Sequence, residues 1–223
     1  GAVWGGGESP SLSGVVKEGI GELAGAAIGI ISPKDRLTLG DKIKAGDVIV
    51  FIESSGLHCN GASLVRKIAG QLPAGYATKL PSGNYFGEEA LIPTHIYAKL
   101  IEALFSAGVD LHYLVNITGH GWRKLMRATQ PFIYRIENVP DPQEIFKFIA
   151  EKGNLSDEQM YETFNMGAGF ALILNPGDTE KALEIIKQSS FESWIGGQVI
   201  DGEKQVIIKP KNITFEGSTL DLR

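Results

Sequence analysis

Three short stretches of the chain combine glycine with side chains able to move protons or hold an anion. They are SSGLHCNG at 54–61, NITGHG at 116–121 and FNMGAG at 164–169. The first follows the apolar run Val48 to Ile52 and precedes a helical pattern from Ala62. A strand therefore passes into a helix through a loop, and NITGHG repeats that passage ahead of Trp122 to Arg127. At a helix start the first backbone N–H groups have no intrahelical partner and point outward, which suits an anion. Glycine removes the Cβ that would hold a ligand off the backbone. In an open sheet such loops gather at one edge. The chemistry predicted is the binding of a phosphate or nucleotide. Gly56, Gly61 and Ser63 would serve it from the first loop, Thr118, Gly119 and His120 from the second, and Asn165 and Gly167 from the third. Each loop taken alone also reads as a tight turn with no ligand.

His58 lies between Gly56 and Asn60. A free histidine titrates near neutrality, so His58 is a candidate acid, base or phosphate partner. An ordinary loop histidine fits the pattern equally. His58 and Asn60 form the candidate catalytic pair. His95, read in the first turn of a helix, and His112, read in a strand, are structural candidates. No histidine pair has metal-ligand spacing, so no zinc site is expected and no metal ligand is assigned. Cys59 reads as a small filler, because adjacent residues on an extended chain point apart. Arg123, Lys124 and Arg127 could attract an anionic substrate, with a solvated basic face as the more common explanation. The stretch GGGESPSLSG at 5–14 is neither a Walker loop nor a dinucleotide fingerprint. Gly6, Gly7 and Glu8 within it are candidate ligand contacts, with an exposed loop acid as the other reading of Glu8.

Composition narrows the classes. The 223 residues carry a net charge of -5, which argues against a nucleic-acid surface and its basic footprint. The single cysteine excludes an internal disulfide. No run is long and uncharged enough for a membrane span, and the start lacks a signal-peptide pattern. A cytoplasmic protein with no membrane partner is expected.

The elements that must position the loops follow from periodicity. Leu23 to Ile31 reads as a central strand of small apolar residues. Asp47 to Glu53 reads as a strand buried on both faces. Helices are expected over 61–70, from Pro93 to Phe105, from Pro142 to Gly153, from Asp157 to Phe164 and from Asp178 to Lys187. Residues 71–92 read as a polar connection. Strands are expected at 112–116, 132–137 and 168–174. Val199-Ile200, the turn Asp201-Gly202 and Val206 to Ile208 read as a hairpin. The fold class is α/β in the broad sense (α+β in the narrower one), a mixed sheet with helices packed on it.

Taken together, GGES near the start, KIKAGDVIVFIESSGLHCNGASLVRK, PTHIYAK at 93–99, NITGHG and GNLSDEQMYETFNMGAG at 153–169 resemble the phosphoribosylformylglycinamidine cyclo-ligase (aminoimidazole ribonucleotide synthetase) family. They occur in the family's order over roughly residues 5–200. The resemblance implies the C-terminal synthetase domain of that superfamily over 23–223, preceded by a hinge or linker at 1–22. It implies an N-terminal domain, absent from this chain, that holds most of the ATP and Mg2+ site and of a homodimer interface. It implies formylglycinamidine ribonucleotide and ATP as substrates, with ring closure to aminoimidazole ribonucleotide in purine biosynthesis. The fragment alone is then expected to be inactive. Three positions depart from the family pattern. Ser11 replaces an acid, Ser13 a proline, and His120 the middle glycine of ITGGG. These departures suit a divergent paralogue as well, one that binds a nucleotide or assembles with partners without catalysis.

Overall fold

The computed structural model describes residues 2–9 and 14–220. Ser11 and Ser13 lie outside them. The chain divides into two units, one up to Leu37 and one from Thr38.

In the first unit the expected strand at Leu23 to Ile31 does not form. Leu23, Ile28 and Ile30 are fully exposed. A strand needs a neighbouring backbone to take its N–H and C=O groups, and small apolar residues cannot supply one by themselves.

The second unit is built on seven strands: β1 (Val48–Glu53), β2 (Leu111–Asn116), β3 (Phe132–Ile136), β4 (Ala168–Leu174), β5 (Ser193–Asp201), β6 (Gln205–Ile208) and β7 (Ile213–Glu216). Their order is β2-β4-β1-β5-β3-β6-β7. Every pairing is antiparallel except β3 with β6, so the mixed sheet expected from sequence is present.

Six helices cover it: α1 (Ala62–Gln71), α2 (Phe86–Ala90), α3 (Ala98–Ser106), α4 (Glu144–Gly153), α5 (Asp157–Thr163) and α6 (Thr179–Gln188). Residues of α1, α2, α4 and α5 join one buried cluster with Ile49 and Phe51 of β1. Residues of α3 and α6 join a second with Val50 and Ile52. Successive strand side chains point to opposite faces, so a strand covered on both faces must be apolar throughout. That is why the β1 sequence is a continuous apolar run rather than an alternating one.

The hairpin reading of 199–208 is corrected. β5 and β6 do not pair, because β3 lies between them, antiparallel to β5 and parallel to β6. Residues 202–204 need only cross two strand spacings, about 9.5 Å. Gly202 makes the crossing possible by lying against Ile133 at the start of β3, where a Cβ would meet the Ile133 side chain 2.5 Å away. Asp-Gly thus turns the chain over a third strand.

Helix starts also moved. α3 begins at Ala98, so Pro93 and His95 precede it. α4 begins at Glu144, after Pro142. α2 interrupts the stretch read as a polar connection, because Phe86 is fully buried against Phe148. The capping box of α5 is formed as expected, with Ser156 Oγ accepting from the Gln159 N–H at 3.2 Å and Gln159 Oε1 accepting from the Ser156 N–H at 2.9 Å. Asp178 precedes α6 without capping it and instead accepts from the Asp110 N–H at 2.9 Å.

Candidate functional site

β1 and β2 both run antiparallel to β4. Their C-terminal ends therefore lie at the same edge, beside the N-terminal end of β4. The three glycine loops leave from those ends, so the sheet brings together the residues singled out at 54–61, 116–121 and 164–169. Ser54 N–H donates to Gly167 O at 2.8 Å, and Ile117 N–H to Gly169 O at 3.0 Å. Asn60 Nδ2 donates to Thr163 O at 2.6 Å.

Asn165 ties this cluster from its centre. It is buried, and its Oδ1 accepts from Ser54 Oγ at 2.8 Å and from the Gly167 N–H at 2.9 Å. Its Nδ2 donates to Gly56 O at 2.8 Å. Its carbonyl accepts from Trp122 Nε1 at 2.9 Å. Both Oδ1 lone pairs and one of the two Nδ2 protons of Asn165 are thus spent on holding the loops in register.

The glycines divide in the same way. Gly61 has φ 85°, and a Cβ there would run into the Phe164 ring. Gly167, at φ 97°, would meet Pro140 at 3.0 Å. Both are required by protein packing. Gly56, at φ 145°, has almost open space around its missing Cβ, and Gly119 would meet only Asn60 Oδ1 at 3.5 Å. Gly119 is half-buried and leaves room for something to approach its backbone, whereas Gly56 is buried with its carbonyl held by Asn165. Ser63 is exposed in the first turn of α1. Gly6, Gly7 and Glu8 are exposed members of the first unit.

His58 is half-buried in a left-handed conformation, φ 56°. Its Nε2 accepts from the Ser55 N–H at 3.1 Å, which leaves the proton of the neutral ring on Nδ1. Burial, with a smaller contribution from His95, lowers its pKa to about 4. Around neutral pH the ring is therefore uncharged. It can donate from Nδ1 but brings no positive charge to a phosphate. Tyr97 packs beside it at 6.3 Å between ring centroids and donates to Glu53 O at 2.6 Å. Gly169 permits this packing, since a Cβ there would collide with Tyr97 Oη and His58 Cε1. Cys59 is exposed, with Sγ 3.3 Å from Thr94 Oγ1.

The depressed pKa has a stability consequence. Between about pH 4 and 6.5 the unfolded chain binds more protons at this position than the folded one, so stability falls as pH drops through that window. His58→Asn keeps a residue tolerant of positive φ and removes the titration. The fall in Tm between pH 6.5 and pH 4 is expected to be shallower in His58→Asn. Parallel curves for the two proteins would rule out His58 as a source of the acid sensitivity.

His120 is also left-handed, φ 76°, and exposed, with Nδ1 3.0 Å from Gly119 O. The next residue, Gly121, has φ 52°, and a Cβ on it would collide with Tyr161 O. Position 120 thus demands a conformation natural to glycine and carries a histidine. Relieving it with His120→Gly is expected to stabilise the chain by about 1 kcal/mol. Chemical denaturation measures this, and a loss of stability would show that the histidine ring contributes more than its backbone costs.

Sequence reading missed the lysine of this region. Lys124 was expected on a solvated basic face, but it is buried in the 3-10 helix Gly121–Arg127. Its Nζ donates to Asn116 Oδ1 at 2.9 Å and to Thr118 Oγ1 at 2.8 Å. Burial first, then the neighbouring Arg127, lowers its pKa to about 8. The available signal was its flanks, since Trp122, Leu125 and Met126 are all apolar. Arg123 is largely covered too, with Nη1 2.9 Å from Glu162 Oε1 and 2.7 Å from Thr219 O. Only Arg127 of the three is exposed.

Residues 44–209 match the family model described as AIR synthase related protein, C-terminal domain. The chain belongs to that family. A relative from Methanobrevibacter smithii named phosphoribosylformylglycinamidine cyclo-ligase is 42% identical over 216 residues, spanning 96% of this chain and 60% of that protein. One of the same name from Methanocaldococcus jannaschii is 40% identical over 198 residues, spanning 88% and 56%. The chain thus spans less than two thirds of the length of either relative. Among solved structures, the hydrogenase maturation protein HypE of E. coli has a TM-score of 0.53 at 15% identity, covering 82% of this chain and 52% of that one. HypE in complex with ATP gives 0.53 at 16%, covering 82% and 53%. At that identity the likeness shows the fold alone. No helix among the described residues is long and apolar enough to cross a membrane.

Proposed function

We propose that the chain is the C-terminal part of a phosphoribosylformylglycinamidine cyclo-ligase. The carrying observation is the family match over 44–209, joined to relatives of that name at 40–42% identity along most of the chain. In the proposed reaction ATP phosphorylates the formyl oxygen of formylglycinamidine ribonucleotide. An internal nitrogen then attacks the activated carbon, and phosphate leaves as the imidazole ring closes to aminoimidazole ribonucleotide, with ADP as the other product. The protein's work is to hold the two ends of the substrate together and to stabilise charge on the transferred group.

In this reading the edge formed by 54–61 and 116–121 contacts the phosphoribosyl substrate. Gly119 gives access to backbone, Gly56 shapes the loop beside it, and Thr118 and Ser63 add hydroxyls. Asn60 contributes its Oδ1, because its Nδ2 is engaged with Thr163 O. His58, uncharged around neutrality, handles a proton rather than a phosphate charge. Glu8, Gly6 and Gly7 are proposed as further ligand contacts. Among the described residues no group of three or more His, Cys, Asp or Glu side chains converges as a metal site. As the family resemblance implies, ATP and Mg2+ are assigned mainly to the part of the relatives' length that this chain does not span. A homodimer of the longer protein in the cytoplasm completes the reading.

The test uses the longer protein with ATP, Mg2+ and formylglycinamidine ribonucleotide. Substrate-dependent release of ADP is expected, reduced by orders of magnitude in His58→Ala. Absence of ADP release overturns the cyclo-ligase reading. The chain of 223 residues alone is expected to show no turnover. A second reading, a nucleotide-binding or assembly domain without catalysis, is favoured by one observation, the left-handed His120 where the family pattern has glycine. Ligand binding without ADP release would select it.

A further inference from the structure

Lys124 is an unusual investment for a fold. A buried ammonium ordinarily sits against a carboxylate, because taking a charge out of water is expensive unless it is paired. Among the described residues no carboxylate pairs with this one. Its hydrogen-bond partners are two neutral oxygens, and both belong to NITGHG. The charge that acts on it is Arg127, of the same sign. The arrangement therefore leaves positive charge at the second site loop, with no carboxylate among the described residues paired to it.

The two hydrogen bonds also have a direction. An ammonium only donates, so Asn116 must present its carbonyl oxygen and Thr118 must accept. Once Thr118 Oγ1 accepts from Lys124, its own proton has to be given elsewhere. Among the described residues no acceptor takes it. Thr118 is half-buried and is followed by Gly119, whose missing Cβ would meet only Asn60 Oδ1, at 3.5 Å. A hydroxyl polarised by a cation and left with a free proton is a donor suited to an anionic oxygen.

We propose that Lys124 is a positioning residue of the substrate site: through Thr118 it presents a polarised hydroxyl, backed by a buried positive charge, to a phosphate oxygen of the ligand. This rests on the reading of the loop edge as a phosphate site. The phosphate has two possible sources, a sugar phosphate monoester or a polyphosphate chain, and both share the chemistry that Thr118 recognises.

The uniformly 15N-labelled chain is titrated with ribose 5-phosphate and, separately, with tripolyphosphate, following the amide signals of Thr118 and Gly119. Movement with one probe identifies the source. Lys124→Met removes the charge while keeping the shape of the stem. It is expected to weaken that binding at least tenfold, with a Tm no lower than the parent chain. Thr118→Val is expected to weaken it similarly and Thr118→Ser to preserve it. A purely structural lysine would lower the Tm and leave affinity unmoved. Unchanged affinity in Lys124→Met or in Thr118→Val overturns the inference while leaving the site reading in place. Failure of the parent chain to bind either probe overturns the site reading, and this inference with it. If Lys124→Met does not fold, the contrast between Thr118→Val and Thr118→Ser decides.

Discussion

Asn165→Ala is expected to lower the stability of the chain by about 4 kcal/mol, the largest effect of any single polar truncation at the loop edge. The side chain joins three partners that water cannot reach once it is gone. Ser54 Oγ and the Gly167 N–H lose their acceptor, and Gly56 O loses its donor. An unpaired buried polar group costs about 1–3 kcal/mol, and these three are linked, so their sum is an upper bound. For a chain of this size 4 kcal/mol lowers Tm by roughly 8–16 °C. Asn165→Asp tests the geometry. It keeps the acceptor but sets a buried negative charge against Gly56 O, so it should fare no better than alanine. A Tm within about 2 °C of the parent for Asn165→Ala would show that the loops hold register without it. The consequence for function is direct, since Gly56 belongs to the proposed site and its carbonyl is placed by this amide.

His112→Leu has the second large expected effect, at the opposite end of the sheet. His112 is buried at the start of β2 with Nδ1 2.6 Å from Asp47 Oδ2 and Nε2 3.0 Å from Asp110 Oδ2. Asp47 is wholly buried just before β1, and its Oδ1 has no partner. Its Oδ2 also accepts from the Lys44 N–H at 3.0 Å. Removing the imidazole leaves that carboxylate in the interior with one backbone donor. Breaking one side of a buried pair costs about 3–5 kcal/mol, whereas replacing both partners with apolar residues is often neutral. The expected order of stability is parent, then Asp47→Leu/His112→Leu, then His112→Leu. Denaturant unfolding of the four members of the cycle measures it. A double variant that falls by the sum of the two single losses would refute the ion-pair account.

These two clusters show how the sheet divides its labour. The N-terminal ends of β1 and β2 are locked by the hydrogen bonds of His112 to Asp47 and Asp110. Their C-terminal ends are locked by a neutral amide, Asn165. A neutral lock leaves the Lys124 charge beside the loop edge without a competing carboxylate.

Much of this was legible from the chain alone, because it depends on neighbours in sequence. The continuous apolar run of β1, the amphipathic faces of the helices and the Ser156 capping box are local patterns with local causes. So is the placing of the three glycine loops at strand ends, since glycine and polar residues mark such junctions. Family resemblance carried the proposed substrate class, which no local pattern contains.

Other features required the tertiary structure. Asp201-Gly202 is a turn by composition, but whether it joins adjacent strands depends on β3 arriving from seventy residues earlier to sit between them. Leu23 to Ile31 has the composition of a strand, yet strand formation needs a partner backbone that composition cannot supply. Asn165 and Thr118 look alike as polar loop residues. Only their surroundings separate a buried clamp from a half-buried donor with a free proton. Lys124 reads as a surface charge until the burial of its 3-10 helix, with Trp122, Leu125 and Met126, takes it out of water. Sequence alone determined which residue types stand at the edge of the sheet, because their spacing follows the chain. Burial decided what each can do, because whether a side chain meets water, protein or open space is set by elements distant in sequence.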